Sequence, residues 1–285
     1  MSAHELTARH VQGRVRAIDL VARVGFVVVA LIFAFPMLWL VMNSFKTNSE
    51  IFGNPFSLPT HLDLGQWAEA WRVGQIGRYV VNSAIVTTVS VVAILACGTA
   101  AGYAFSRFRF RGRSVLMGTL GLGLLLPLQS YFIAQSTLFT RLQLTDTRWA
   151  LIIPYTAMGI PLATYLITVY LDAIPEEIFE AARIDGAGDL RTFAMLAVPL
   201  VRPGLATVAV FSALSSWNEF LLALLYIQDD ALKTIPTGLL AFSSRYVTDY
   251  GLLFAALSIV TIPMIVVYVV FNRQIVSGLT AGSLK

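Results

Sequence analysis

Charge is scarce in this chain. Only 13% of its 285 residues are Asp, Glu, Lys or Arg, against 57% hydrophobic. An ordinary soluble domain carries about twice that charge, so the bulk of the chain is read as bilayer-spanning. Cysteine occurs once, at Cys97, which excludes an intrachain disulfide; inside an apolar run it reads as a core thiol. The three histidines, His4, His10 and His61, lie outside every apolar run, so an intramembrane His-Glu-x-x-His metal site is excluded. Glycine is nowhere followed by lysine. The chain therefore has no Gly-x4-Gly-Lys-Ser/Thr loop to cradle phosphates and binds no ATP by that route. The net charge of +4 is split among loops rather than gathered on one basic face, which argues against a nucleic-acid partner.

What the chain has is apolar runs. Residues 1–23 are polar and form an arm before the first run at 24–42, which is long enough for a hydrocarbon core of ~30 Å. That run exceeds a signal-peptide core and lacks a small-residue cleavage site, so it is read as a retained helix. Further spans fall at 80–104, 114–134, 149–171, 204–227 and 252–271, followed by a tail at 272–285. Pro127 is expected to kink the third; Pro154 and Pro161 sit inside the fourth. Between the first two spans, Trp67 and Trp71 suit a membrane interface. The fold expected is all-α and polytopic, with six transmembrane helices filling 24–271.

Six spans leave both termini on one side. That side carries Arg9, Arg14, Arg16 and Arg23, then Arg107, Arg109, Arg111 and Arg113, then Arg183, Arg191 and Arg202, and finally Arg273 and Lys285. These are thirteen of the 20 basic residues, which makes the terminal side cytoplasmic. The four arginines from 107 to 113 read as a topology anchor, with anionic-lipid binding as the alternative.

One charged stretch is caught between spans, at 175–199. Pro175 suits a first helical position, and Glu176 and Glu177 place negative charge in a first turn. Ile178, Phe179 and Ala182 make an apolar stripe. Asp185-Gly186-Ala-Gly188 ends the helix, and Asp189 is expected to cap a second that runs to Pro199. Such a hairpin can lie on the membrane surface. Glu176 and Glu180, four apart on the outer face, favour a protein groove over anionic lipid.

Glu180-Ala181-Ala182, then Gly186, then Leu196-Ala197-Val198-Pro199 resembles the EAA motif of binding-protein-dependent ABC import permeases. Leu196 and Val198 are conservative departures from it. Asn43-Ser-Phe-Lys46, the run from Tyr103 to Gly112, Trp217-Asn-Glu-Phe220 and Gly278-Leu-Thr-Ala-Gly282 resemble the carbohydrate-uptake branch, its MalG-like subunits in particular. The resemblance covers nearly the whole chain. It implies that 175–199 is a coupling hairpin docked on a cytoplasmic ATPase through Glu180, Ala181, Ala182, Asp185, Gly186 and Pro199. It implies a second permease subunit, an ATPase dimer holding the ATP and magnesium, an extracytoplasmic binding protein and a sugar substrate. This chain would hold no cofactor or metal, catalyse no reaction itself, and reside in a prokaryotic inner membrane. Import of a phosphorylated polyol or another polar solute is the alternative; no cluster of span-facing arginines supports it.

Glu219 is the one charged residue within a span, and an intramembrane carboxylate is a functional candidate by default. Ser212, Ser215 and Glu219 share a face, with Asn218 about 100° away and Trp217 about 160° away on a straight helix. Ser215, Asn218 and Glu219 are thus candidates for the substrate path, and Glu219 and Asn218 either touch substrate or bridge helices. With no second span carboxylate, an aspartyl-type dyad is excluded and a proton-coupled transporter is disfavoured. An autonomous channel would have no use for the hairpin. The external loop at 228–251 is longer than a turn requires and mixes Asp229 and Asp230 with Leu239, Leu240 and Tyr250. By resemblance Thr237, Gly238, Leu239, Leu240 and Phe242 meet the binding protein; a headgroup anchor is the alternative.

Overall fold

The computed structural model describes residues 3–62, 64–245 and 249–281, and among them every regular element is helical. In chain order these are α1 (Ala3–Asn43), α2 (Asn48–Gly53), α3 (Gly65–Val73), α4 (Ile76–Arg107) and α5 (Arg113–Leu125). After a 3-10 turn at Leu128–Ser130 come α6 (Phe132–Arg141), α7 (Trp149–Asp172), α8 (Glu176–Ile184) and α9 (Asp189–Thr192). A π turn at Phe193–Ala197 leads to α10 (Val198–Leu200), α11 (Arg202–Asn218), α12 (Leu221–Tyr226), α13 (Ile235–Arg245) and α14 (Tyr250–Ala281).

Three helical stretches are long and apolar enough to cross a membrane alone: Ala22–Asn43 of α1, α4 and α7. The first continues without interruption from the helix that begins at Ala3, so no break separates arm from span. The expected third and fifth spans are broken. At the third, Pro127 holds Leu126 in an extended conformation and lacks the N–H a continuing helix needs. Both the N–H and the hydroxyl of Ser130 then bond the Pro127 carbonyl, at 2.9 and 2.7 Å, and close a tight turn. The expected kink is therefore a full stop between α5 and α6. The fifth span stops at Glu219 and restarts at Leu221.

Two compact units divide the chain. The smaller comprises residues 1–70 and 246–259. Its hub is Asn43-Ser-Phe-Lys46, in which Asn43, Ser44 and Lys46 are fully buried. The Lys46 ammonium donates to the carbonyls of Asn54 and Pro55 at 3.4 and 3.2 Å. Trp67 donates its indole N–H to the Ser44 hydroxyl and stacks on Phe45. Trp67 thus packs inward, whereas Trp71 stays half exposed.

In the larger unit the dominant packing is α4 on α7. Gly98 and Gly102 lie four apart on one face of α4, and small residues let two backbones approach closely. A Cβ at Gly98 would stand 2.5 Å from the Ala163 Cβ; one at Gly102 would stand 3.2 Å from the Thr164 carbonyl oxygen. Ile94, Ile167, Leu171 and Val208 fill the seam around them. Cys97, next to Gly98, points away from this seam and is exposed. The expected core thiol is therefore an outward one, because hydropathy marks a span without marking its inner face.

Replacing Gly98 by valine should cost roughly 1–3 kcal/mol by overpacking. Thermal unfolding of the purified chain in detergent should show a lowered midpoint, partly recovered by adding Ala163→Gly. An unchanged midpoint would mean the close approach does not hold the pair together.

Candidate functional site

The polar break in the fifth span builds a site from its own sequence. Phe211-Ser-Ala-Leu-Ser-Ser-Trp-Asn-Glu crowds short polar side chains into the end of α11, where they compete for backbone groups. Asn218 donates its amide to the Leu214 carbonyl at 2.8 Å. Glu219 is then extended, at φ −66° and ψ 127°. Its carboxylate accepts the N–H of Leu222 at 2.9 Å and that of Ala223 at 3.3 Å, while the Tyr155 hydroxyl of α7 donates to it at 2.7 Å. A buried charge is tolerated only when so satisfied. Glu219 therefore closes the N-terminus of α12 and bridges it to α7.

The same carboxylate lines a cavity of about 250 Å³ with Ser212, Ser215, Ser216, Tyr155 and Phe211. Ser216 was not among the sequence candidates, although it sits four residues after Ser212 on the same stripe. Tyr155 gave no signal, being one aromatic among several in an apolar helix. Asn218 is exposed and does not line this cavity. Trp217 faces a different, apolar cavity with Thr87, Val91, Ala213 and Met264.

The hairpin between α7 and α11 is the second feature. Pro175 is the residue before α8 rather than its first, and it places Glu176 and Glu177 in the first turn. Phe179 is buried and Ala182 half-buried, but Ile178 is exposed, so the apolar stripe is narrower than its sequence spacing implies. The helix ends in a Schellman turn. The Ala187 N–H bonds the Ala182 carbonyl at 2.9 Å and the Gly186 N–H bonds the Arg183 carbonyl at 3.0 Å. Gly186 stands at φ +77°, the left-handed conformation that glycine adopts without penalty. Asp189 is the first residue of α9 and makes no capping bond; Gly188 takes the cap position expected for it. Pro199 follows the π turn, where its missing N–H breaks the regular ladder. At Val201 the chain bends by 75° into α11.

Glu180, Ala181, Asp185 and Gly186 all face outward. Beside them stand Ile184 and Leu190, each 85% exposed. These two were missed in the sequence, because one lies on the wrong side of the stripe and the other beyond the turn.

The long loop after α12 is stapled down. Asp146 accepts the N–H groups of Gln228 and Asp229, and Asn82 donates to the carbonyls of Ala231 and Lys233 at 2.9 and 3.0 Å. Arg148 donates to the Asn82 amide oxygen at 3.0 Å, and the Ile235 N–H to the Ser83 hydroxyl at 2.9 Å. Residues 235–245 are helical as α13. Thr237 and Gly238 are buried, Gly238 against the Tyr79 ring. They therefore do not present the outer surface expected of them. Leu239 is half-buried and Leu240 is 48% exposed, while the Phe242 side chain lies outside the described residues.

Apolar helices, a largely apolar cavity with a polar side at a broken span, and an exposed amphipathic hairpin suit a membrane transport subunit. Residues 94–280 match the family described as binding-protein-dependent transport system inner membrane component, and the chain belongs to that family. It is 38% identical over 255 residues to the diacetylchitobiose uptake permease NgcG of Streptomyces coelicolor, covering 88% of this chain and 83% of that one. It is 31% identical to the trehalose/maltose permease MalG of Thermococcus litoralis, covering 92% and 95%. The fold matches a chain of a bacterial ABC transporter for alginate with a TM-score of 0.78 at 24% identity, over 90% of this chain and 96% of that one.

Cysteine at 215, in a Cys97→Ala background, should react with a membrane-impermeant maleimide in at least one state of the assembled transporter. Persistent protection from it, with labelling only by a lipid-soluble reagent, would remove the cavity from the aqueous path.

Proposed function

We propose that this chain is one of two non-identical permease subunits of a carbohydrate importer, joined to an ATPase dimer and fed by an extracytoplasmic binding protein. The observation that carries the reading is the hairpin. Its inner residue Phe179 is buried, while Glu180, Ile184 and Leu190 are exposed among the described residues. Acidic and apolar residues side by side on a short helix suit a groove in a partner protein. ATP and magnesium would reside on that partner, and the distribution of basic residues puts hairpin and termini in the cytoplasm. Closure of the ATPases would move the hairpin and rock the spans between inward- and outward-facing states.

A sugar suits the cavity. Hydroxyls of Ser212, Ser215 and Ser216 and the Glu219 carboxylate offer polar partners beside the apolar side chains of Leu124, Met158, Leu162 and Phe211. The lining holds a carboxylate and no basic side chain, which disfavours a phosphorylated polyol. Relatives include permeases for diacetylchitobiose, trehalose/maltose and arabinooligosaccharides, and carbohydrate is the substrate class we assign.

Gly186→Trp tests the docking. A Cβ there meets no atom of this chain within 4 Å, so the chain itself is strained only by the left-handed backbone, at roughly 1–2 kcal/mol. Membrane insertion should persist and co-purification with the ATPase should be lost. A variant that assembles at the wild-type level would refute the docking site.

For the binding protein, the outward residue of α13 is the contact to test. Leu240→Asp should leave assembly and basal ATP hydrolysis intact and abolish stimulation of hydrolysis by the binding protein. Unchanged stimulation would make α13 a headgroup anchor instead.

A further inference from the structure

Four arginines run from the last residue of α4 to the first of α5, and Arg107 is held differently from Arg109 and Arg111. Arg109 and Arg111 are exposed, as a topology anchor should be. Arg107 is folded inward in the last turn of α4. Its Nη2 donates to the carbonyls of Leu171 and Ile174, the latter at 3.3 Å. The Leu171 carbonyl also accepts the Ile174 N–H at 3.0 Å, and a cation at a helix C-terminus is favoured by the helix dipole. The Arg107 Cζ also lies 3.7 Å from the centroid of the Phe179 ring, which is buried in α8. One guanidinium thus touches the end of α7 and the inner face of the hairpin helix at once.

Neighbouring residues extend the grip. Ser106 donates to the Asp172 carboxylate at 2.6 Å, again joining α4 to the end of α7. One turn earlier, Tyr103 packs on Phe193, whose ring centroid is 5.2 Å away on the returning arm of the hairpin. The end of α4 therefore holds both arms, through Arg107 on Phe179 and through Tyr103 on Phe193. Behind it, Gly98 and Gly102 bring α4 close against Ala163, Thr164 and Ile167 of α7.

We infer that Arg107 is the positioning residue that makes the hairpin and the α4–α7 pair move as one body, so that displacement of the hairpin reaches the cavity. The inference rests on the reading of the hairpin as the ATPase docking element. Without Arg107, α8 would keep its linker to α7 and the packing of Phe179 but lose the one guanidinium that touches both the end of α7 and the Phe179 ring. A push on the outer face would then be absorbed there. Lysine is an incomplete substitute: it supplies charge at the α7 carbonyls but no planar group to stack on the ring.

The test uses the complete complex of both permeases, ATPases and binding protein in lipid, with Ser215→Cys in the Cys97→Ala background. Maleimide labelling of residue 215 is measured without nucleotide and after trapping with magnesium, ATP and vanadate. With Arg107 present, trapping should change the labelling rate by about tenfold. In Arg107→Ala the change should shrink to about twofold or less, and Arg107→Lys should restore part of it. Phe179→Leu, which keeps an apolar filling and removes the ring face, should behave like Arg107→Ala. It also serves if that variant does not assemble. Combining Phe179→Leu with Arg107→Ala should do no further harm, since both remove one contact. A full response to trapping in Arg107→Ala, or in Phe179→Leu, overturns the role of Arg107. Absence of any response with Arg107 present overturns the docking reading instead.

Discussion

A peptide group in hydrocarbon has no water to bond, and this constraint governs every place where the chain departs from a helix. Each departure in the spans is closed by a specific side chain. Ser130 closes the turn at Pro127, Glu219 closes the start of α12, and Arg107 closes the end of α7. The segments outside follow the same logic where they are buried: Asp146 and Asn82 take up the amides and carbonyls of 228–233, and Lys46 takes up those of Asn54 and Pro55. The charged and polar residues of an apolar chain are few, and those named here direct hydrogen bonds to backbone groups at breaks and turns.

Function is placed on those same breaks. A continuous helix through 204–227 would satisfy its own backbone and leave no room for a cavity. The stop at Glu219 opens one of about 250 Å³ and lines it with the polar groups that caused the stop. The hairpin is a break of another kind. Its Schellman turn ends α8, and the returning arm at 189–200 meets α11 at 75°; the outer residues of α8 are exposed. Between the two breaks runs the α4–α7 pair, close-packed through glycine and hard to deform.

Some of this was legible in the residues and some was not. The hairpin was, because Gly186 and the charged turns around it interrupt an otherwise apolar text, and the left-handed backbone there demands glycine. The spans were legible as lengths, since hydropathy integrates over many residues. Their breaks were not, because Pro127 halts its helix while Pro154 and Pro161 remain inside α7. Proline identity is equal in all three; what differs at Pro127 is a serine three residues on that bonds its carbonyl. The inward face of each span was equally hidden. Cys97 and Gly98 are adjacent and equally apolar in surroundings, yet one faces out and the other lies in the close-packed seam. Tyr155 and Arg107 were missed or misread because their partners lie 60 or more residues away.

The arrangement at Glu219 also shows why its two sequence readings need not compete. The carboxylate has two oxygens with about four acceptor directions, and three donors occupy it: Leu222, Ala223 and Tyr155. It is held too firmly to swing toward a solute, yet one direction is left toward the cavity it lines. A group so fixed can offer an incoming hydroxyl an acceptor already in place, with little ordering left to do on binding. Its bridge to Tyr155 also ties α12 to α7, the helix that continues into the hairpin linker. Any motion that rotates α7 against α11 must therefore stretch the Tyr155–Glu219 bond or carry the cavity wall along with it. If the hairpin moves α7 as proposed, the residue that satisfies the broken backbone would also carry that motion to the cavity wall.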